Sequence, residues 1–143
     1  MTGIGEDITA LIPQRAPIIM VDRLESVEGD RAVTSFMVRP DNYFVGVEGQ
    51  SLAEAGVIEH IAQSASAFSG YRARMAGAAD APVGYIGEVK NFHCFRCPRV
   101  NEVLHTTITM GAELEGITII KGETSVDGEI IADVQMKIFV KPQ

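Results

Sequence analysis

The chain has 143 residues, of which 46% are apolar and 22% charged, with a net charge of −7. That length is one domain's worth and buries roughly 68–70% of the unfolded surface, so a core forms without metal or disulfide staples. The acidic balance disfavours nucleic acid as a partner. No apolar run approaches the ~18 residues of a membrane span, and residues 1–7 lack the basic and apolar regions of a secretory signal. The expected setting is the cytoplasm, away from membranes.

Residues 7–12 predict one short helical turn that ends at Pro13. Residues 18–28 and 31–38 read as strands, joined by Gly29-Asp30, where glycine can take the positive φ of a two-residue hairpin. Pro40 closes the second strand and a loop follows over 41–50. Ser51-Leu52-Ala53-Glu54 fits the capping box S-x-x-E, which starts the main helix at Ser51 and runs it to about Met75. Small residues crowd this helix: Ala55, Gly56, Ala62, Ser64, Ala65 and Gly70 among them. They let a sheet approach closely on several faces, and Ile58, Ile61, Ala65 and Phe68 form its apolar stripe. After a loop at 77–82, residues 83–95, 102–110, 117–126 and 129–140 look extended, with hairpin pairs at Glu115-Gly116 and Asp127-Gly128. Two strands, one long buried helix and an antiparallel run predict a single α+β domain over 1–143, its sheet curled around the central helix.

Several side chains could carry chemistry. Cys94-Phe95-Arg96-Cys97, beside His93, has the C-x-x-C spacing of zinc and redox sites. A structural zinc wants four ligands and no second pair exists. In a strand, positions 94 and 97 also face opposite sides. Two reduced thiols are therefore expected, and no metal. Between Gly70 and Val100 five basic residues stand against two acidic ones, a net +3 that leaves −10 for the rest. Arg72, Arg96 and Arg99 in this segment are either a solvated face or a docking patch for an anionic partner. Glu59 sits in the third turn of the helix, in a very apolar part of the chain, where burial favours the protonated form of a carboxyl group and suits it to acid–base work. Gln63 lies one turn on, on the same face.

Ile12 to Arg23 reads I-P-Q-R-A-P-I-I-M-V-D-R, which resembles the L-P-H-R-x-P-h-h-h-V-D-R opening of the 3-hydroxyacyl-[acyl-carrier-protein] dehydratases, h being apolar. Val57-Ile58-Glu59-His60-Ile61-Ala62-Gln63 resembles that family's catalytic-helix run I-I-E-A-M-A-Q. The resemblance implies a hotdog fold, commonly a dimer with sheets joined edge to edge. It implies acid–base chemistry without a cofactor, on a phosphopantetheine thioester of acyl carrier protein. In such enzymes a histidine and a helix carboxylate from opposite protomers do the proton work, and backbone N–H groups near the helix start hold the thioester oxygen. Glu59 matches the carboxylate. The histidine loop G-H-F-P is here Phe44-Val45-Gly46-Val47, so Val45 takes the histidine position and cannot transfer a proton. His60, about 100° around the helix from Glu59, and Tyr43, in the altered loop, are the candidate substitutes. Phe44 is a candidate substrate contact. The N–H groups of Leu52 and Ala53 are the candidate oxyanion donors. His93 and His105, both in expected strands, read as structural.

Three functions fit. The first is a dehydratase-type enzyme of fatty-acid or polyene-type biosynthesis; residues 12–23, 38–42 and 59–71 are also similar to small hotdog proteins of pigment-type polyene clusters. The second is a hotdog thioesterase, for which Glu59 alone could activate water. The third is a non-catalytic subunit paired with an intact dehydratase. The assembly is then a homodimer or a heterodimer of hotdog subunits.

Overall fold

The computed structural model describes residues 7–46, 49–77 and 84–140. A first turn, α1, spans Ile8–Leu11, and the Asp7 side chain caps it by accepting from the Thr9 N–H at 2.8 Å. β1 (Arg23–Glu28) and β2 (Arg31–Met37) form a hairpin through Gly29, at φ 59°. The long helix α2 covers Glu54–Met75. β3 (Gly84–Cys94), β4 (Val103–Leu114), β5 (Ile117–Val126) and β6 (Glu129–Val140) complete the chain. Residues 47, 48 and 78–83 of the expected loops lie outside the described residues.

All six strands join one antiparallel sheet in the order β1-β2-β4-β5-β6-β3, wrapped around α2. This is the hotdog architecture. Burial alternates along β4 and β5, so one face of the sheet packs on the helix and the other meets solvent. The core lies between: Ile61, Ala65 and Phe68 of α2 are fully buried with Phe36, Leu104, Ile108, Ile120 and Met136 of the sheet. Ile58 packs at its margin. The Glu115-Gly116 and Asp127-Gly128 turns both place two successive residues at positive φ, the type I′ geometry that matches strand twist.

Three boundaries differ from expectation, the simplest being β4, which runs on to Leu114 rather than ending at residue 110. Residues 18–22 are not strand; α2 side chains take the Ile18 carbonyl and both backbone groups of Met20, and the chain reaches β2 only at Asp22, whose N–H donates to the Ser35 carbonyl. The helix starts at Glu54 rather than Ser51, with Ala53 as N-cap and no side-chain cap. The capping box does not form because Ser51 and Leu52 are extended, paired with Arg99 and Val45 in isolated antiparallel bridges. Pairing to neighbouring chain outcompetes the local cap.

The small residues of α2 are explained by close approaches. A Cβ on Gly56 would sit 2.6 Å from the Phe44 Cβ, and one on Gly70 would collide with the Leu11 carbonyl. Gly70 thus lets α1 lie directly on the helix. Gly70→Ala is expected to cost about 1–3 kcal/mol through overpacking, read as a lowered urea midpoint; an unchanged midpoint would show that α1 does not seat there.

Candidate functional site

The opening segment and α2 meet through two buried side chains one turn apart. Gln63 Oε1 accepts from the Met20 N–H at 2.6 Å, and its Nε2 donates to the Ile18 carbonyl and to Glu59 Oε2, both at 2.8 Å. His60 Nδ1 lies 2.6 Å from the Met20 carbonyl and its Nε2 2.7 Å from Thr106 Oγ1, which is 2.7 Å from Thr124 Oγ1. A carbonyl can only accept, so Nδ1 carries the hydrogen, Nε2 accepts from Thr106, and Thr106 accepts from Thr124. Burial pushes the His60 pKa down from 6.5 to about 4, against smaller opposing effects of the Met20 carbonyl and Asp22. The ring is neutral, fully buried and engaged at both nitrogens, so His60 is a structural residue and not the replacement proton carrier.

Glu59 is half-buried rather than enclosed, its carboxylate steadied by Gln63. It lines a cavity of about 250 Å3 with Gln14, Ala62, Ser66, Ser69, Ile86 and Ile138. Glu59, Ala62, Ser66 and Ser69 recur every three to four residues, one stripe of the helix; Ile86 and Ile138 come from neighbouring strands β3 and β6. The sequence reading missed Gln14, Ser66 and Ser69. Helical periodicity counted forward from Glu59 would have found the serines; only tertiary contact brings Gln14.

Other expected site residues go elsewhere. Val45 is half-buried, bridged to Leu52. Tyr43 is 73% exposed, edge-on to Phe44, with no hydrogen bond to its hydroxyl among the described residues, and does not line the cavity. Phe44 packs on the core under Gly56, also outside the cavity. The Leu52 N–H donates to the Pro98 carbonyl at 2.8 Å and the Ala53 N–H to the Phe44 carbonyl at 2.9 Å, so neither is a free oxyanion donor. The next two N–H groups, of Glu54 and Ala55, have no acceptor among the described residues. Ala55 lies one turn before Glu59, the direction in which helix side chains lean.

The expected docking patch is not a set of three alike. Arg96 forms a fork on Glu102 (2.8 and 3.0 Å) and reaches Glu129 at 3.1 Å, which pushes its pKa further up and the Glu102 carboxyl down. Its charge is spent inside the fold. Arg72 stacks on Phe68, 4.5 Å from the ring centre, and donates to the Gly29 carbonyl. Arg99 is exposed. His93 is in β3, paired with Asp133 at 2.7 Å, and His105 is exposed on β4; neither lines the Glu59 cavity.

The cysteines do not point apart. β3 ends at Cys94, and a bend at residues 95–96 lets the Cys94 thiol donate to the Arg96 carbonyl at 3.3 Å and brings Cys97 near enough to affect it. Both thiols are free. Burial, then Cys97, pushes the Cys94 thiol up to about 11, so it is protonated at neutral pH. Among the described residues no three His, Cys, Asp or Glu side chains converge as metal ligands, and no helix is long and apolar enough to cross a membrane.

Residues 6–143 match the family model of the ApeP-like dehydratases. The chain is 30% identical over 141 residues to the 3-hydroxyacyl-[acyl-carrier-protein] dehydratase FabZ of Syntrophotalea carbinolica, covering 96% of this chain and 94% of that one. It is 29% identical to the FabZ of Cupriavidus metallidurans, covering 94% and 91%. Among solved structures it is similar to the dehydratase heterocomplex ApeI:P from Xenorhabdus doucetiae, at a TM-score of 0.89, 18% identity, and coverage of 98% and 94%. A hypothetical thioesterase with coenzyme A from Streptococcus pneumoniae shares the fold at a TM-score of 0.63 and 11% identity, covering 85% and 86%. The fold and the carboxylate-bearing helix define a hotdog protein of the dehydratase class. Within that class, the chain belongs to the ApeP-like dehydratase family.

The buried neutral His60 sets a pH dependence. Above pH 6.5 it is unprotonated whether folded or not, and its contribution to stability is complete. As pH falls below 6.5 the unfolded chain takes up a proton that the folded one refuses until about pH 4. Unfolding free energy is expected to fall by about 2 kcal/mol between pH 7.5 and 5, measured by urea titration, and the fall should vanish in a folded His60→Gln variant. A flat wild-type profile would place a charged or exposed ring there.

Proposed function

We propose that this chain is the carboxylate-bearing subunit of a two-subunit hotdog dehydratase acting on 3-hydroxyacyl thioesters of acyl carrier protein in the cytoplasm. The observation that carries the reading is Glu59, held by Gln63 at a cavity, with valine at the histidine position and His60 locked in the core. The chain keeps one proton-transfer group and has no second one beside it among the described residues. A second hotdog subunit that retains the loop histidine supplies the other. Among the described residues β3 pairs only with β6, which leaves its other edge open for a partner sheet to continue. The similarity to a dehydratase heterocomplex supports the pairing, and the FabZ relatives support the substrate class.

In this arrangement the partner's histidine takes the proton at C2 of the thioester. The Glu59 carboxyl gives a proton to the departing C3 hydroxyl, which leaves as water, and a 2-enoyl thioester remains. The N–H groups of Glu54 and Ala55, at the positive end of the α2 dipole, receive the negative thioester oxygen. Gln63 orients Glu59, as it orients Met20.

Assays of 3-hydroxyacyl carrier-protein substrates test this. The chain alone should turn nothing over; with a histidine-bearing hotdog dehydratase from the same organism it should form enoyl thioester. Glu59→Gln in that complex should lower the rate about 10²–10⁴-fold, whereas the matching change in the partner's own carboxylate should leave turnover at this site. Equal activity of the Glu59→Gln complex would make Glu59 structural. Free acid as the product would favour the thioesterase reading.

Docking of the acidic carrier protein then falls to Arg99, an exposed member of the basic segment whose guanidinium has no hydrogen bond or ion pair among the described residues, whereas Arg72, also exposed, is engaged by the Phe68 ring and the Gly29 carbonyl. Arg99→Glu should raise the apparent KM for a carrier-bound substrate, as added salt does for the wild type, and leave a small carrier-free thioester unaffected. An equal response of both substrates would remove the docking role.

A further inference from the structure

Among the described residues, Gln14 is the one polar side chain of the Glu59 cavity that does not come from the helix. It replaces the histidine of the L-P-H-R opening and lies between Pro13, after α1, and Arg15, whose guanidinium donates to the Ile12 and Gln14 backbone carbonyls at 2.8 Å. Those two bonds fix the backbone around Gln14 and leave its side chain uncommitted. The carboxamide oxygen is buried and accepts no hydrogen bond among the described residues. A buried amide oxygen without a donor carries a desolvation penalty, and such groups in native proteins call for an explanation. The opposite wall of the cavity, Ile86 and Ile138, offers no donor, and the nearest charged neighbour in the lining, Glu59, is an acceptor when ionised. The Ser66 and Ser69 hydroxyls line the same cavity but do not donate to Gln14, so among the described residues the donor is left to what fills the cavity.

We propose that Gln14 is a positioning and specificity residue that accepts the hydrogen of a ligand hydroxyl and thereby holds that hydroxyl beside Glu59. The inference rests on the proposed reaction and deepens it, because a 3-hydroxyacyl thioester carries such a hydroxyl and its enoyl product does not. The terminal amide torsion is broad, so the oxygen turns toward the cavity without moving the chain. Substrate then satisfies Gln14, while product leaves it unpaired again. A site built around a hydrogen bond to a hydroxyl rejects the analogue lacking it far more strongly than an apolar pocket does. The cavity therefore binds substrate in preference to product and presents the leaving group, not the acyl tail, to the carboxyl group.

The test compares 3-hydroxybutyryl- and crotonyl-N-acetylcysteamine, two small thioesters alike except for the hydroxyl and the double bond. Their affinities are read as the KM of the hydroxy compound and the inhibition constant of the crotonyl compound in the assembled two-subunit complex, wild type and with Gln14→Met in this chain, with the partner's own carboxylate removed so that only this site turns over. The wild type should bind the hydroxy compound roughly ten- to a hundredfold more tightly, the range that one unpaired buried polar group supplies. Gln14→Met keeps the length and removes the acceptor. It should bring the ratio near one by weakening the hydroxy compound alone, with crotonyl binding within about twofold of wild type. Its thermal midpoint should be unchanged or raised, since an orphaned buried oxygen is gone. A lowered midpoint would show that Gln14 already has a structural partner and overturns the inference. A preference that survives in Gln14→Met, or no preference in the wild type, overturns it while leaving the proposed reaction standing. Failure of the wild-type complex to bind either thioester overturns both.

Discussion

The peptide unit of Met20 is held from both ends by one turn of helix. Gln63 accepts from its N–H, His60 donates to its carbonyl, and both side chains are fully buried. Everything near the site depends on this grip. It holds residues 18–20 against α2, and it satisfies backbone groups that would otherwise be stranded in the core. The same amide that holds Met20 also points Nε2 at Glu59, so the candidate carboxylate and the opening segment share one fixed reference. Because Gln63 uses its oxygen once and its nitrogen twice, no isostere reproduces the set. Glutamate would lose the donors, and leucine would strand the Met20 N–H and the Ile18 carbonyl.

His60 extends the grip into the sheet. Through Thr106 and Thr124, which face each other across β4 and β5, its hydrogen-bond chain crosses the core in a single direction. A second pair, Thr34 and Ser64, ties β2 to the helix, with Ser64 also donating to the His60 carbonyl. Such a network rigidifies only while every member is satisfied, which holds here with a neutral imidazole. The residue that sequence places beside the candidate acid is thereby reserved for structure, and its low pKa is a mark of burial rather than of proton transfer.

A hotdog domain with this core leaves its sheet edges open among the described residues. The sheet ends on β3 and β1, each paired on one side, and the cavity beneath Glu59 is walled partly by Ile86 of the edge strand. Val45, in the loop that replaces the histidine loop, is pinned to Leu52, and that same loop takes the Ala53 N–H through the Phe44 carbonyl. The altered loop is a structural brace for the start of α2.

Much of the architecture was legible in the chain. Gly29-Asp30, Glu115-Gly116 and Asp127-Gly128 mark turns that form as read, because positive φ is a local requirement that few residues meet. The stripe Ile61, Ala65 and Phe68 faces the core because helical periodicity leaves it no alternative. Glu59 and Gln63 meet because they are one turn apart. What depended on distant partners was not legible. Ser51 looked like a cap until Arg99 paired with it; Arg96 looked free until Glu102 and Glu129 folded against it; the cysteines looked opposed until the chain bent between them. The sequence by itself determined the elements, the turns and the carboxylate on its helix, since all of these follow from spacing within about one turn or one hairpin. Only the tertiary structure decided which polar groups are spent on the fold and which stand open at the cavity, because hydrogen-bond partners 30 to 46 residues apart are chosen by packing rather than by spacing.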